Sequence, residues 1–204
     1  MRLYNSVGPN PQIVRTFAAE KGISLELVPI DIIGGENRGE AFKAKNPMGQ
    51  LPALELDGGK VIAEVTAICE LIEELHPQPA LIGANAAERA ETRMWCRRID
   101  HRIMEPFMAG YRATAGRPFF APRMPLLSES AGAEMLELLN GNLKELDTLL
   151  AGRTWVCGER FTLADILLGC FLLFGAKSGT PLPAGLGWLP GYARRCAARP
   201  SFAA

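Results

Sequence analysis

The residues best suited to chemistry lie in the first third of the chain. Glu64-Val65-Thr66 stands where an apolar helical period begins. Free N–H groups and the macrodipole at such a start favour a bound anion. Asn10 precedes Pro11, a residue suited to a first helical turn. Its side-chain oxygen suits an N-cap while its amide nitrogen donates elsewhere, but it has no base to offer. Pro52 enters a strand-like run, Ala53–Leu56, where it has no N–H for the ladder. The cysteines, Cys69, Cys96, Cys157, Cys170 and Cys196, are odd in number and form no CxxC, so they read as reduced, buried thiols. With only His76 and His101 beside them, neither at ligand spacing, no metal site is expected.

The elements that must position these residues fall into two textures. Arg2-Leu3-Tyr4 reads as a strand, Asn5 to Asn10 as a loop, and Ile13, Val14, Phe17 and Ala18 as a helix stopped by Gly22. Leu25–Ile30 is strand-like and Glu40–Lys45 a short helix. Ala53–Leu56 and Val61–Ala63 form a hairpin about Asp57-Gly58-Gly59, and Thr66–Leu75 closes the region as a helix. The crossover from Arg2-Leu3-Tyr4 to Leu25–Ile30 predicts parallel strands and the hairpin adds antiparallel ones. After His76-Pro77-Gln78-Pro79 the pattern is helical: 86–111, 131–150, 162–174 and a last helix near 192–198. The expected domains are therefore an α/β unit over 1–77 and an all-α unit over 86–204. In Phe161-Thr162-Leu163-Ala164-Asp165, Thr162 and Asp165 have capping-box spacing.

Asn46-Pro47-x-Gly49-Gln50-Leu51-Pro52-Ala53-Leu54, followed by the hairpin and Glu64-x-x-Ala67-Ile68, resembles the glutathione-site signature of the cytosolic glutathione transferase superfamily. The resemblance extends over nearly the whole chain and implies a thioredoxin-like N-terminal domain with an all-α helical-bundle C-terminal domain. It implies a cis Leu51-Pro52 bond that turns the Leu51 N–H and C=O outward to pair with the cysteinyl backbone of glutathione as an added strand. By the same resemblance the turn at Glu64, Val65 and Thr66 receives the γ-glutamyl end, with Glu64 facing the amino group. Val65 departs from the family's usual serine and removes one hydroxyl donor. The glycyl end is assigned to Lys43 or Lys45 with Gln50. Asp100, on the long helix, is the candidate for reaching a neighbouring subunit's glutathione in a homodimer.

The family activates the thiol at the end of the first strand or the start of the first helix. Asn10 occupies the position that carries serine or cysteine in some classes, Tyr4 the position of a catalytic tyrosine, and Ser6 lies between them. Asn10 is favoured, with Tyr4 and Ser6 in reserve. Lowering a thiol pKa of roughly 8.5 by about two units takes about 2.7 kcal/mol. A hydrogen bond donated to the charge and a helix N-terminus together supply roughly that much. No cysteine precedes residue 69, which disfavours thiol–disulfide exchange through the protein.

The implied activity is a detoxifying glutathione transferase in which glutathione, the co-substrate, attacks a hydrophobic small-molecule electrophile. The alternatives are a non-catalytic scaffold and a glutathione-dependent isomerase, dehalogenase or peroxidase. The second substrate is expected on the helical domain, where Met104, Phe107, Met108 and Tyr111 share a face, with Phe171 and Phe174 nearby. Balanced charge, 22 basic against 22 acidic residues, argues against nucleic acid. No apolar run is long enough for a membrane span, and Met1-Arg2-Leu3-Tyr4 lacks a signal peptide's apolar core, so a cytoplasmic protein is expected.

Overall fold

The computed structural model describes residues 1–204. Two compact units are present: Met1–Leu81 together with Pro200–Ala204, and Ile82–Arg199. The second thus begins four residues before the expected 86, and the last five residues belong with the first unit instead.

In the first unit, β1 (Arg2–Asn5), α1 (Pro9–Glu20) and β2 (Glu26–Pro29) form the crossover. A 3₁₀ turn (Glu36–Arg38), α2 (Glu40–Lys43), the hairpin β3 (Ala53–Glu55) and β4 (Val61–Ala63), and α3 (Val65–Leu75) follow. The sheet order is β2-β1-β3-β4, with β1 and β2 parallel and the other pairs antiparallel. This mixed sheet is the thioredoxin-like arrangement. Directly paired residues share a face, so Tyr4 goes with Ala53 and Leu3 with Leu54. The Tyr4 and Ala53 face packs on Ile30 and on Phe42 of α2. Helices α1 and α3 pack on each other and bury Ile13, Val14, Phe17, Ile68 and Ile72.

Helix α1 begins at Pro9, two residues before the expected start. Gly8 takes φ 112° at the N-cap, a backbone state that favours glycine, and Pro9 brings its fixed φ to the first helical position. Asn10 is therefore not the N-cap; it lies within the first turn.

The buried ammonium of Lys21, at the end of α1, bonds to the Glu73 carboxylate and to the carbonyls of His76 and Pro79. Glu73 also accepts from the Leu81 N–H at 3.3 Å. Lys21 and Glu73 thus fasten the segment after α3 to α1 and α3.

In the second unit, α4 (Ala86–Ile99), a π turn (Asp100–Met104) and α5 (Glu105–Ala113) replace the single helix expected over 86–111. The cause is Pro106, which has no N–H for the Arg102 carbonyl four residues earlier. That carbonyl instead accepts from Asn142 Nδ2 at 2.9 Å. The unit is completed by α6 (Arg117–Phe120), α7 (Glu129–Leu149), α8 (Leu163–Lys177) and α9 (Leu189–Ala197).

The capping box of α8 is present, with Thr162 and Asp165 fully buried. The Asp165 carboxylate accepts from the Val156 and Thr162 N–H groups, both at 2.8 Å, and from the Tyr192 hydroxyl at 3.2 Å. Burial nevertheless pushes its pKa up to about 6 from an ordinary 3.8. Between these values the folded chain holds a proton that the unfolded chain releases, so stability falls as pH rises through that window. We expect unfolding measurements to show a loss of about 2 kcal/mol from pH 4 to pH 6.5 attributable to this group. Asp165→Asn should flatten that part of the profile; an unchanged slope would exclude Asp165 as its source.

Candidate functional site

The loop from Asn46 to Pro52 is held from within. Asn46, buried between α2 and β3, donates through Nδ2 to the Gln50 carbonyl at 2.8 Å. Asn37, also buried, donates to the Gly49 carbonyl at 2.6 Å. Gly49 has φ 61°, and a Cβ there would lie 2.7 Å from the Asn37 carbonyl oxygen, so this position is closed to side chains. The loop leads into a cis Leu51-Pro52 bond. The Leu51 side chain packs on the Tyr4, Ile30, Phe42 and Ala53 cluster. Its N–H and C=O make no hydrogen bond within the chain. Peptide groups without internal partners are what an added strand requires.

Glu64 caps α3 from the end of β4 with φ 68° and ψ 122°, the only non-glycine residue at positive φ. Such a backbone state costs about 1–3 kcal/mol and clusters at functional sites. Its carboxylate is exposed and caps nothing. The N–H groups of Val65 and Thr66 are at the open start of the helix, and the first amide bonded back is that of Ile68, to the Glu64 carbonyl. Val65 is half-buried and Thr66 exposed.

The two lysines separate. Lys45 Nζ lies 3.0 Å from the Glu55 carboxylate and 5.3 Å from the centre of the Tyr4 ring. Lys43, the last residue of α2, has no ion-pair or hydrogen-bond partner from its side chain, and the exposed Gln50 side chain has none either. Lys43 and Gln50 are the groups left open to a ligand.

The thiol-activating candidates also separate. Tyr4 is buried and its hydroxyl donates to Glu55. That bond, and then Lys45, hold the Glu55 carboxyl below its usual range. The Tyr4 hydroxyl thus spends its one proton on Glu55, on the α2 face. Ser6 is half-buried in the loop after β1, without a hydrogen-bond partner. Asn10 is half-buried in the first turn of α1, and its amide group has no partner within the chain. Pro9 and Pro11 flank it and have no N–H, so the Asn10 N–H is the one main-chain donor among the first three residues of the helix.

In the second unit, Asp100 opens the π turn and pairs with Arg97 at 3.1 Å. Phe107 and Phe171 are core, 4% and 1% exposed, and form no open lining. Met104, Met108, Tyr111 and Phe174 are half-buried. No three of the chain's His, Cys, Asp or Glu residues are grouped to hold a metal ion. No helix is long and apolar enough to cross a membrane.

The family models for the glutathione S-transferase N-terminal domain and C-terminal domain match residues 7–75 and 104–200. Glutathione S-transferase 2 of Saccharomyces cerevisiae is 32% identical, over 98% of this chain and 87% of its own. The chain belongs to the glutathione S-transferase family. The crystal structure of a glutathione S-transferase domain-containing protein from Marinobacter aquaeolei VT8 superposes with a TM-score of 0.90 at 35% identity, covering 99% of this chain and 100% of that one. A maleylacetoacetate isomerase of Pseudomonas aeruginosa is 29% identical over 84% of this chain and 79% of its own. The glutathione S-transferase fold, a thioredoxin-like unit followed by a helical one, is therefore shared across these relatives. Sequence reasoning missed Asn37 and the strained backbone of Glu64. Asn37 lies outside the motif, and no residue type signals a positive φ at a glutamate.

Proposed function

We propose that this chain is a glutathione transferase. Reduced glutathione pairs its cysteinyl backbone with the N–H and C=O of Leu51, on the strand entry set by Pro52. Its γ-glutamyl carboxylate takes the amides of Val65 and Thr66, with Glu64 facing the amino group. Its glycyl carboxylate faces Lys43 and Gln50. The observation that carries this reading is the unpartnered Leu51 peptide in the same unit as the open start of α3.

The free amide of Asn10 and its main-chain N–H stabilise the thiolate, with Ser6 as the neighbouring hydroxyl. The thiolate attacks a hydrophobic electrophile; the new S–C bond forms as the leaving group departs with its electron pair. The chain acts as a homodimer in which Asp100 is offered to the neighbouring subunit's glutathione. The five buried cysteines, none in a disulfide, suit the reducing cytoplasm.

The test is conjugation of reduced glutathione to an activated aryl halide across pH. Asn10→Ala should lower turnover and raise the apparent thiol pKa by about one to two units. Unaltered turnover in that variant would exclude Asn10 as the activating group. The likeness to the isomerase favours a second reading, a glutathione-dependent isomerase. There glutathione is returned after each turnover, and its consumption distinguishes the two.

A further inference from the structure

We propose that Arg15 is a positioning residue for the thiol-binding turn. This inference rests on the glutathione reading above. Arg15 lies on α1, half-buried, one and a half turns beyond Asn10. Its guanidinium reaches in three directions. One nitrogen donates to the side-chain carbonyl of Asn5 at the end of β1, a second to the side-chain carbonyl of Gln12, and Nε to the Ala204 carbonyl at 3.2 Å. Gln12 continues the chain of bonds. Its amide nitrogen donates to Thr16 Oγ1 at 3.1 Å and to the Ala204 carbonyl at 2.9 Å. Ser201, in the 3₁₀ turn Pro200–Ala203, bonds Glu20 at the far end of α1.

Residues 6–8 have no regular structure, and Asn10 has no side-chain anchor of its own. What fixes the turn is therefore its two ends. Asn5 is the last residue of β1, and Gln12 is the first α1 residue after the two prolines with a main-chain bond to the turn, its N–H reaching the Gly8 carbonyl at 3.4 Å. Arg15 holds both ends with one rigid planar fork. A lysine keeps the charge but has no such fork. The bond to Ala204 orients the same guanidinium from the side of the closing turn. In this account Arg15 touches no substrate. It sets where the Asn10 amide and the Ser6 hydroxyl stand.

The test compares Arg15→Ala, Arg15→Lys and Ser201→Ala in the full chain. Ser201→Ala loosens the closing turn without removing the fork. In glutathione-free protein, amide hydrogen exchange over residues 5–14 should accelerate at least about tenfold in both Arg15 variants while α3 is unchanged. In the conjugation assay both should lower kcat about tenfold or more and shift the pH profile upward by about one unit. Ser201→Ala should leave the profile in place. Exchange over 5–14 that matches the unaltered protein overturns the proposal, whether or not the chain is active. An Arg15→Lys variant with the unaltered profile overturns it as well, as does an equal shift in Ser201→Ala. Absence of conjugation by the unaltered protein, with the exchange result as expected, would instead fault the glutathione reading.

Discussion

Glu64→Ala is expected to raise the glutathione dissociation constant by one to two powers of ten while leaving the unfolding midpoint almost unchanged. The exposed carboxylate makes no cap bond, so its removal takes no internal contact from the fold. Facing the γ-glutamyl amino group, it would supply a charge-assisted hydrogen bond of about 1.5–3 kcal/mol, which is the size of the expected loss. The backbone supports this assignment. A glutamate held at φ 68° with no cap bond is strain of about 1–3 kcal/mol without local compensation. The strain turns the end of β4 into the start of α3 so that the Val65 and Thr66 amides stand open. Alanine keeps that geometry and those amides, so binding should weaken rather than vanish. A dissociation constant equal to that of the unaltered chain would remove Glu64 from the site.

Lys21→Met is expected to cost about 3–5 kcal/mol of stability, read as a lower urea midpoint. Every donor of the ammonium is used, on the Glu73 carboxylate and on the His76 and Pro79 carbonyls. Methionine fills much of the same space but leaves a buried carboxylate and two carbonyls without their donor. Replacing Glu73 with leucine in addition should recover part of the loss, because the uncompensated charge goes with it. A loss below about 1 kcal/mol for Lys21→Met would mean that water or a neighbour satisfies these groups. This contact lies away from the thiol site, so glutathione affinity per folded molecule should not change.

How far the sequence could be read depended on whether the deciding interaction was local. The hairpin of β3 and β4, the Thr162 and Asp165 capping box and the loop before Pro52 are written in residues a few positions apart, and each is found in the structure. Pro11 suits a first helical turn, but the helix starts at Pro9 because Gly8 supplies the positive-φ N-cap before it. The single helix expected over 86–111 takes no account of Pro106, and the repair of the break at Asp100–Met104 by Asn142 depends on a helix some forty residues away. The same holds for Tyr4. The resemblance puts it where some classes carry a catalytic tyrosine, while the partner of its hydroxyl, Glu55, lies on another strand. The Arg15 fork joins Asn5 to Ala204, residues far apart in sequence, and no periodicity announces it.

The Leu51 peptide and the start of α3 are expected to bind reduced glutathione together. Calorimetric titration of the purified chain with reduced glutathione tests it most directly. The expected result is saturable binding of one glutathione per chain, weakened by one to two powers of ten in Glu64→Ala. Folded protein that gives no saturable heat would contradict it.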